Sequence, residues 1–231
     1  MQAIVMATRD SVTTIRKAVE SIKENTSGYY QFIISDDSSK TETLDYLRSL
    51  KDIVLLEYKG DDHPHLQKVL QSGFDYALKD SNLKYVFTVE SDVYVTPDWN
   101  NRLVRALESK SDSGGVVGIT VGNDKKLMYP MRNDLPPPYK HDWVVDKFQD
   151  VIKMKKHLTF GCTVFRAEIC RRIKFCKEDR VGGVDVRWSH SIRSLGYELY
   201  ADLGTYVYHP RPHSSRKEWE INMKGKNLKT R

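Results

Sequence analysis

An α/β chain, with a mostly parallel central sheet and helices on both of its faces, is what this sequence predicts, and three observations predict it. Over the first hundred residues, short β-rich apolar runs alternate with amphipathic stretches, the pattern of βαβ units. Acidic clusters fall directly after several of those runs, where open sheets of this kind bind ligands. Leu, Ile, Val and Phe make up about a quarter of the 231 residues, enough for a sizeable core.

The elements follow in order. Strands are expected near 3–7, 31–35, 53–57 and 84–89. Between the first two, Val12, Ile15, Val19 and Ile22 recur at three- and four-residue spacing and define one helical face over Ser11–Asn25, which Asp10 or Ser11 would cap. The same periodicity predicts helices near 41–50, 65–79 and 98–109, the last preceded by Pro97, which suits a first helical turn. A strand at 115–121 follows. Residues 123–142 break the pattern with Pro136-Pro137-Pro138 and read as a long loop, either an active-site lid or a disordered excursion. Beyond it come a strand near 158–165, a short helix near 167–174, a helix near 184–195 and strands near 197–209. Ser214–Arg231 is a polar, basic tail.

Composition excludes several classes. No apolar run approaches the ~18–20 residues of a membrane span, and Ala3–Ala7 lacks the basic flank and cleavage pattern of a secretory signal, so the expected location is intracellular and cytoplasmic. Cys162, Cys170 and Cys176 are odd in number and without CxxC spacing, which reads as buried thiols rather than a disulfide framework. The net charge of +6 is uneven: residues 1–146 carry 18 Lys+Arg against 22 Asp+Glu, residues 147–231 carry 19 against 9. The second part therefore either faces an anionic partner or presents a basic solvated face.

Three acidic sites stand at strand ends. Asp36-Asp37-Ser38-Ser39 follows Phe32-Ile33-Ile34 and reads either as the source of a carboxylate that accepts hydrogen bonds from a base or ribose or as a turn with a helix cap. Glu90-Ser91-Asp92 follows Tyr85–Val89; two carboxylates one residue apart repel each other unless a hard divalent cation such as Mg or Mn lies between them. Asp185, in Gly183-Val184-Asp185, and His209, after Tyr206-Val207-Tyr208, add a candidate base and a nitrogen ligand, with a cap and a structural His as the plainer readings.

The order of these motifs resembles that of nucleotide-sugar glycosyltransferases of the A-type fold, particularly the inverting family 2. Ala3–Asp10 is similar to the family's opening strand, ending in Pro-Thr-Tyr-Asn, of which Thr8 matches while Ala7, Arg9 and Asp10 depart. Phe32–Ser39 resembles its Asp-Asp-Gly-Ser strand, and Glu90-Ser91-Asp92 its Asp-x-Asp metal motif, followed by Pro97-Asp98-Trp99 as a Pro-x-Trp helix start. Gly161–Arg166 resembles the acceptor-side strand, Gly183-Val184-Asp185 the Gly-Glu-Asp of the base, and Tyr208-His209 the late metal-binding His.

The resemblance implies a Rossmann-like fold with one domain over residues 1–213, its nucleotide-sugar half at 1–110 and its acceptor half at 111–213, and a basic tail at 214–231. It implies donor binding by Thr8, Arg9, Asp36, Asp37, Glu90 and Ser91, with Asp37 on the nucleobase. A Mn2+ or Mg2+ ion falls to Asp92, Glu90 and His209, the catalytic base to Asp185, and the acceptor side to Gly161, Gly183 and Trp188. The donor would be a nucleotide-sugar, a UDP-sugar first; the acceptor, a glycan, a lipid-linked glycan or a nucleic acid, would meet a basic patch of Lys153, Lys155, Lys156, Arg171, Arg172 and Lys174. Two other classes compete. A sugar nucleotidyltransferase shares the sheet but needs a Gly-rich phosphate loop, and Ala7-Thr8-Arg9-Asp10-Ser11 has no glycine. A non-catalytic nucleotide- or glycan-binding module is motivated by the departures at Arg9, Glu90 and Val184.

Overall fold

Ala3 and Val5 face one side of the first strand, Ile4 and Met6 the other, and all four are fully buried. A strand apolar on both sides belongs at the middle of a doubly covered sheet, and that is where it lies. The computed structural model describes residues 1–59, 66–122, 150–175 and 183–210. In chain order its elements are β1 (Gln2–Thr8), α1 (Val12–Asn25), β2 (Tyr30–Asp37), α2 (Thr41–Ser49), β3 (Val54–Tyr58), α3 (Leu66–Ala77), β4 (Tyr85–Val89) and β5 (Tyr94–Val95). There follow α4 (Trp99–Glu108), β6 (Ser113–Val121), β7 (Val151–Lys153), β8 (Cys162–Arg166), α5 (Ala167–Cys170), α6 (Val184–Ser194) and β9 (Glu198–Tyr208).

These strands form one nine-stranded sheet in the order β3-β2-β1-β4-β8-β6-β9-β5, with β7 also paired to β9. The four strands β3, β2, β1 and β4 are parallel, as are β6 and β9, whereas β8, β5 and β7 run against their neighbours. One face is covered by α1, α2 and α4 through Ile15, Ile22, Leu47, Trp99 and Leu103. The other is covered by α3, α5 and α6 through Leu70, Phe74, Ile169, Trp188 and Ile192. Gly73 lets α3 approach the sheet closely, since a Cβ there would lie 2.5 Å from Val5 Cγ1 and 2.9 Å from Ser35 Oγ.

The α/β class and the covering of both faces agree with expectation, and several details do not. Neither Asp10 nor Ser11 caps α1 by its side chain: Ser11 occupies the N-cap position with φ 64° and makes no side-chain cap bond. The Asp10 carboxylate instead accepts from Lys40 N–H at 2.7 Å. Pro97 precedes α4 as expected, with Asp98 between them at the N-cap position. The strand expected from 158 begins at Cys162, the helix expected to 174 ends as α5 at Cys170, and residues 198–208 form one strand rather than several. The short strands β5 and β7 carry too few residues for a period-2 pattern, and only their pairing with β9 defines them. The loop at 123–142, Cys176 and the tail at 214–231 lie outside the described residues. Among the described residues, no helix is long and apolar enough to cross a membrane.

Candidate active site

The ends of β1, β2 and β4 open on the same edge of the sheet, since these strands are parallel and in register: Thr8 pairs with Asp36, and Val5 with Thr88. Parallel pairing forces the polar residues that follow each apolar run to emerge side by side. Glu90, Ser91 and Asp92 leave β4 there, with Glu90 N–H donating to Gly161 O at 3.2 Å. After them, the two residues of β5 pair with Val207 and Tyr208 of β9, which carries the chain towards His209. His209 is fixed in turn by its N–H, which donates to Val121 O at 2.9 Å.

The result is a cluster. His209 Nε2 lies 3.3 Å from Asp92 Oδ2 and 3.9 Å from Glu90 Oε2. One ligand atom from each of the three residues falls within 4.8 Å of the others. Enclosure by the cleft walls, then the negative charges of Asp92 and Asp185, push the Glu90 carboxyl up to about 8. Its side chain nonetheless keeps 48% of its surface open, so it lines the cleft and is not sealed in the core. Two carboxylates and an imidazole at this spacing suit a hard divalent cation, and a cation between them reverses the charge repulsion that raises Glu90.

A cavity of about 370 Å³ adjoins the cluster, lined by Arg9, Ser11, Thr14, Thr88, Glu90, Ser91 and Asp92 over an apolar floor that includes Val5, Leu70 and Phe160. Thr88 Oγ1 is buried and without a hydrogen-bond partner among the described residues. A second cavity of about 370 Å³ lies beyond β2, lined by Asp36, Ser38, Ser39, Glu57, Tyr58 and Lys59. The expected donor residues are thus divided: Arg9, Glu90 and Ser91 share one cavity, and Asp36 lines the other. Asp37 is 6% exposed and Thr8 4% exposed, at the adjacent ends of β2 and β1.

The two loops are tied together. Asp10 N–H donates to Ser39 Oγ at 2.7 Å, Lys40 N–H to Asp10 Oδ1 at 2.7 Å, and Ser39 N–H to Asp36 Oδ2 at 2.9 Å. Burial raises the Asp36 carboxyl above its ordinary value, and the Ser39 hydrogen bonds partly offset that. Asp10, Ser11 and Ser38 all adopt positive φ, backbone held in place by the bonds around it. The tie of Asp10 to Ser39, 29 residues away, leaves no trace in local spacing.

Asp185 stands at the start of α6, where Gly183 occupies the N-cap position, and its Oδ1 accepts from Val186 N–H at 2.8 Å. Its charge acts on Glu90, so this helix end lies within electrostatic reach of the end of β4. His157 Nε2 lies 3.8 Å from Asp185 Oδ2; nothing in the sequence marks that neighbour. Gly161 sits beside Glu90, with space for a Cβ 3.7 Å from Glu90 Oε2. Trp188, expected on the acceptor side, is only 3% exposed; it stacks on Phe175 at 4.2 Å and meets Phe74 edge-on at 5.1 Å, so its ring is packed in the core. The basic patch is also partly engaged. Lys153 pairs with Glu198, Lys174 with Asp75, and Arg171 donates to Asp80 O.

Comparison with known proteins bears on this edge of the sheet. No functionally curated protein matches the sequence significantly. Among solved structures, GalNAc-T7 with UDP, GalNAc and Mn2+ superposes with a TM-score of 0.67 at 15% identity, over 92% of this chain and 44% of that one. S. aureus TarS 1-349 superposes with a TM-score of 0.65 at 13% identity, over 90% of this chain and 60% of that one. This chain therefore spans about half the length of each, and the likeness is one of fold, the A-type glycosyltransferase fold. Residues 3–173, which include the ends of β1, β2 and β4 described above, match the model of Glycosyl transferase family 2. With most of its length matched, and in the fold of A-type glycosyltransferases, the chain belongs to glycosyl transferase family 2.

Proposed function

We propose that this protein is a metal-dependent glycosyltransferase that moves a sugar from a nucleotide-sugar, a UDP-sugar first, to an acceptor hydroxyl with inversion. One observation carries the reading: Glu90, Asp92 and His209 converge beside a cavity that also holds Arg9, with Asp185 close enough for its charge to act on Glu90. The likeness of fold to GalNAc-T7, solved with UDP, GalNAc and Mn2+, supports the same class of donor and ion here.

Glu90, Asp92 and His209 would hold a Mn2+ or Mg2+ ion, which when bound neutralises charge on a leaving diphosphate. Arg9 offers guanidinium donors to the same diphosphate, and Thr8, Asp36 and Asp37 bind the nucleoside. A carboxylate oxygen of Asp185 takes the acceptor's hydroxyl proton. The acceptor oxygen then forms its bond to the anomeric carbon as the bond to the diphosphate oxygen breaks, and that electron pair leaves with the nucleoside diphosphate. One domain over residues 1–213, with a donor half and an acceptor half, and an acceptor that is a glycan, a lipid-linked glycan or a nucleic acid belong to the same proposal.

The test is a thermal-shift screen of UDP-, GDP-, dTDP- and CMP-sugars with and without Mn2+ or Mg2+, because a ligand that binds only the folded state raises its melting temperature. A metal-dependent shift with one nucleotide, and sugar transfer that Asp185→Asn abolishes while the shift remains, are expected. No shift with any of them, and no donor turnover, overturns the proposal in favour of a non-catalytic module.

A further inference from the structure

Helix α6 presents two adjacent stripes. Val184, Trp188 and Ile192 point into the core and are at most 3% exposed. Beside them Asp185, Ser189 and Arg193, again four residues apart, all meet a single segment, residues 154–158, between β7 and β8. Ser189 Oγ accepts from Leu158 N–H at 3.0 Å. Arg193 donates to Met154 O at 2.9 Å and to Lys156 O. Met154 N–H donates in turn to Leu199 O at 2.8 Å, and both Met154 and Leu158 are 1% exposed. The segment is thus held at its two ends, on two apolar anchors and four hydrogen bonds. The residue it presents to the third member of the stripe is His157, with Nε2 3.8 Å from Asp185 Oδ2.

We infer that His157 is a positioning residue for Asp185: its Nε2–H orients the carboxylate whose other oxygen is fixed by Val186 N–H. The inference rests on the proposed role of Asp185 as the base. A carboxylate at a helix start, held by one backbone N–H alone, still rotates about its side-chain torsions. A second donor on the opposite oxygen fixes the plane in which it meets a hydroxyl. The separation is longer than a hydrogen bond, as contacts in catalytic sites often are before substrate binds. Ser189 and Arg193 act on the far side, keeping the segment that carries His157 in place.

The test uses the full chain with Mn2+ and follows turnover of the sugar nucleotide, transfer to water included. His157→Ala is expected to lower kcat about tenfold, the effect of one hydrogen bond to a charged group, with donor KM and the metal-dependent thermal shift unchanged. His157→Gln, which keeps a side-chain N–H donor, restores kcat to within about twofold on the same argument. Should the alanine variant fail to fold, His157→Phe takes its place, filling the volume without the donor. Wild-type kcat in His157→Ala, or in His157→Phe where that takes its place, or a His157→Gln kcat as low as that of the alanine variant, overturns the inference and leaves the proposed function standing. A wild-type chain that turns over no sugar nucleotide overturns both.

Discussion

His209 Nε2 stands 3.3 Å from Asp92 Oδ2 although the strands that deliver them, β9 and β4, are separated in the sheet by β8 and β6. The gap is bridged by β5, whose two residues pair with Val207 and Tyr208 immediately before His209. Thr96 reinforces the crossing, its Oγ1 donating to Tyr206 O at 2.7 Å. The cluster is therefore a property of the crossover as much as of its acids.

Removing one of the three proposed ligands should cost binding of a divalent cation without unfolding the chain. Asp92→Asn or His209→Ala is expected to weaken Mn2+ by about 100-fold or more, since loss of outer-shell partners alone costs about 10–100-fold. Isothermal titration calorimetry with Mn2+ measures it. The melting temperature without metal serves as the control.

The Asp10 tie between the β1 and β2 loops predicts an effect on donor binding. Asp10→Ala loses the acceptor for Lys40 N–H and is expected to raise donor KM about tenfold at unchanged kcat, as for one hydrogen bond to a charged group. Asp10→Asn keeps a side-chain oxygen and should stay near wild type. Steady-state kinetics on both variants decides.

Gly73 predicts a purely structural loss. The added methyl of Gly73→Ala meets Val5 Cγ1 and Ser35 Oγ on the sheet. Such overpacking costs about 1–3 kcal/mol, or about 2–4 °C of melting temperature per kcal/mol in a chain of this size. Urea unfolding is the direct measurement, and an unchanged midpoint would show that α3 moves freely over the sheet.

Asp202 sets a pH dependence. Burial raises its carboxyl above the ordinary value of 3.8, against hydrogen bonds from Thr205 Oγ1 at 2.6 Å and Gly204 N–H at 3.1 Å that lower it. A raised folded pKa means that the folded chain holds the proton more tightly, so this group's contribution is full below 3.8 and is lost as pH rises through the raised value. Asp202→Asn should flatten that part of the stability curve. Thermal melts across the mildly acidic range, wild type against variant, give the difference.

What the sequence makes legible is local. The apolar runs of β1, β2 and β4 and the stripe of Ile15, Val19 and Ile22 in α1 announce themselves because their periods match their burial. Glu90, Asp92 and His209 can be singled out because they follow such runs. The long-range contacts around the site cannot. The tie of Asp10 to Ser39, the approach of His157 to Asp185 and the pairing of β5 all join residues distant along the chain. Trp188 is the converse case: its helix is legible, but which side of the helix faces the core depends on Phe74 and Phe175 from other elements.

The place of β8 between β4 and β6 has a consequence for how the chain comes off the ribosome. Strands β1 to β4 are synthesised first, yet the free edge of β4 is covered only when Cys162–Arg166 emerges, about seventy residues later. Until then the nascent sheet offers an unpaired, buried-type strand to any other chain nearby. The same strand closes β6, so a split between residues 110 and 111 leaves two fragments that each lack a neighbour held by the other. Their reassociation would join the edge of β4 to that of β8 and β5 to β9, which makes that junction a natural choice for a complementation assay in which one fragment recovers its fold only on meeting the second.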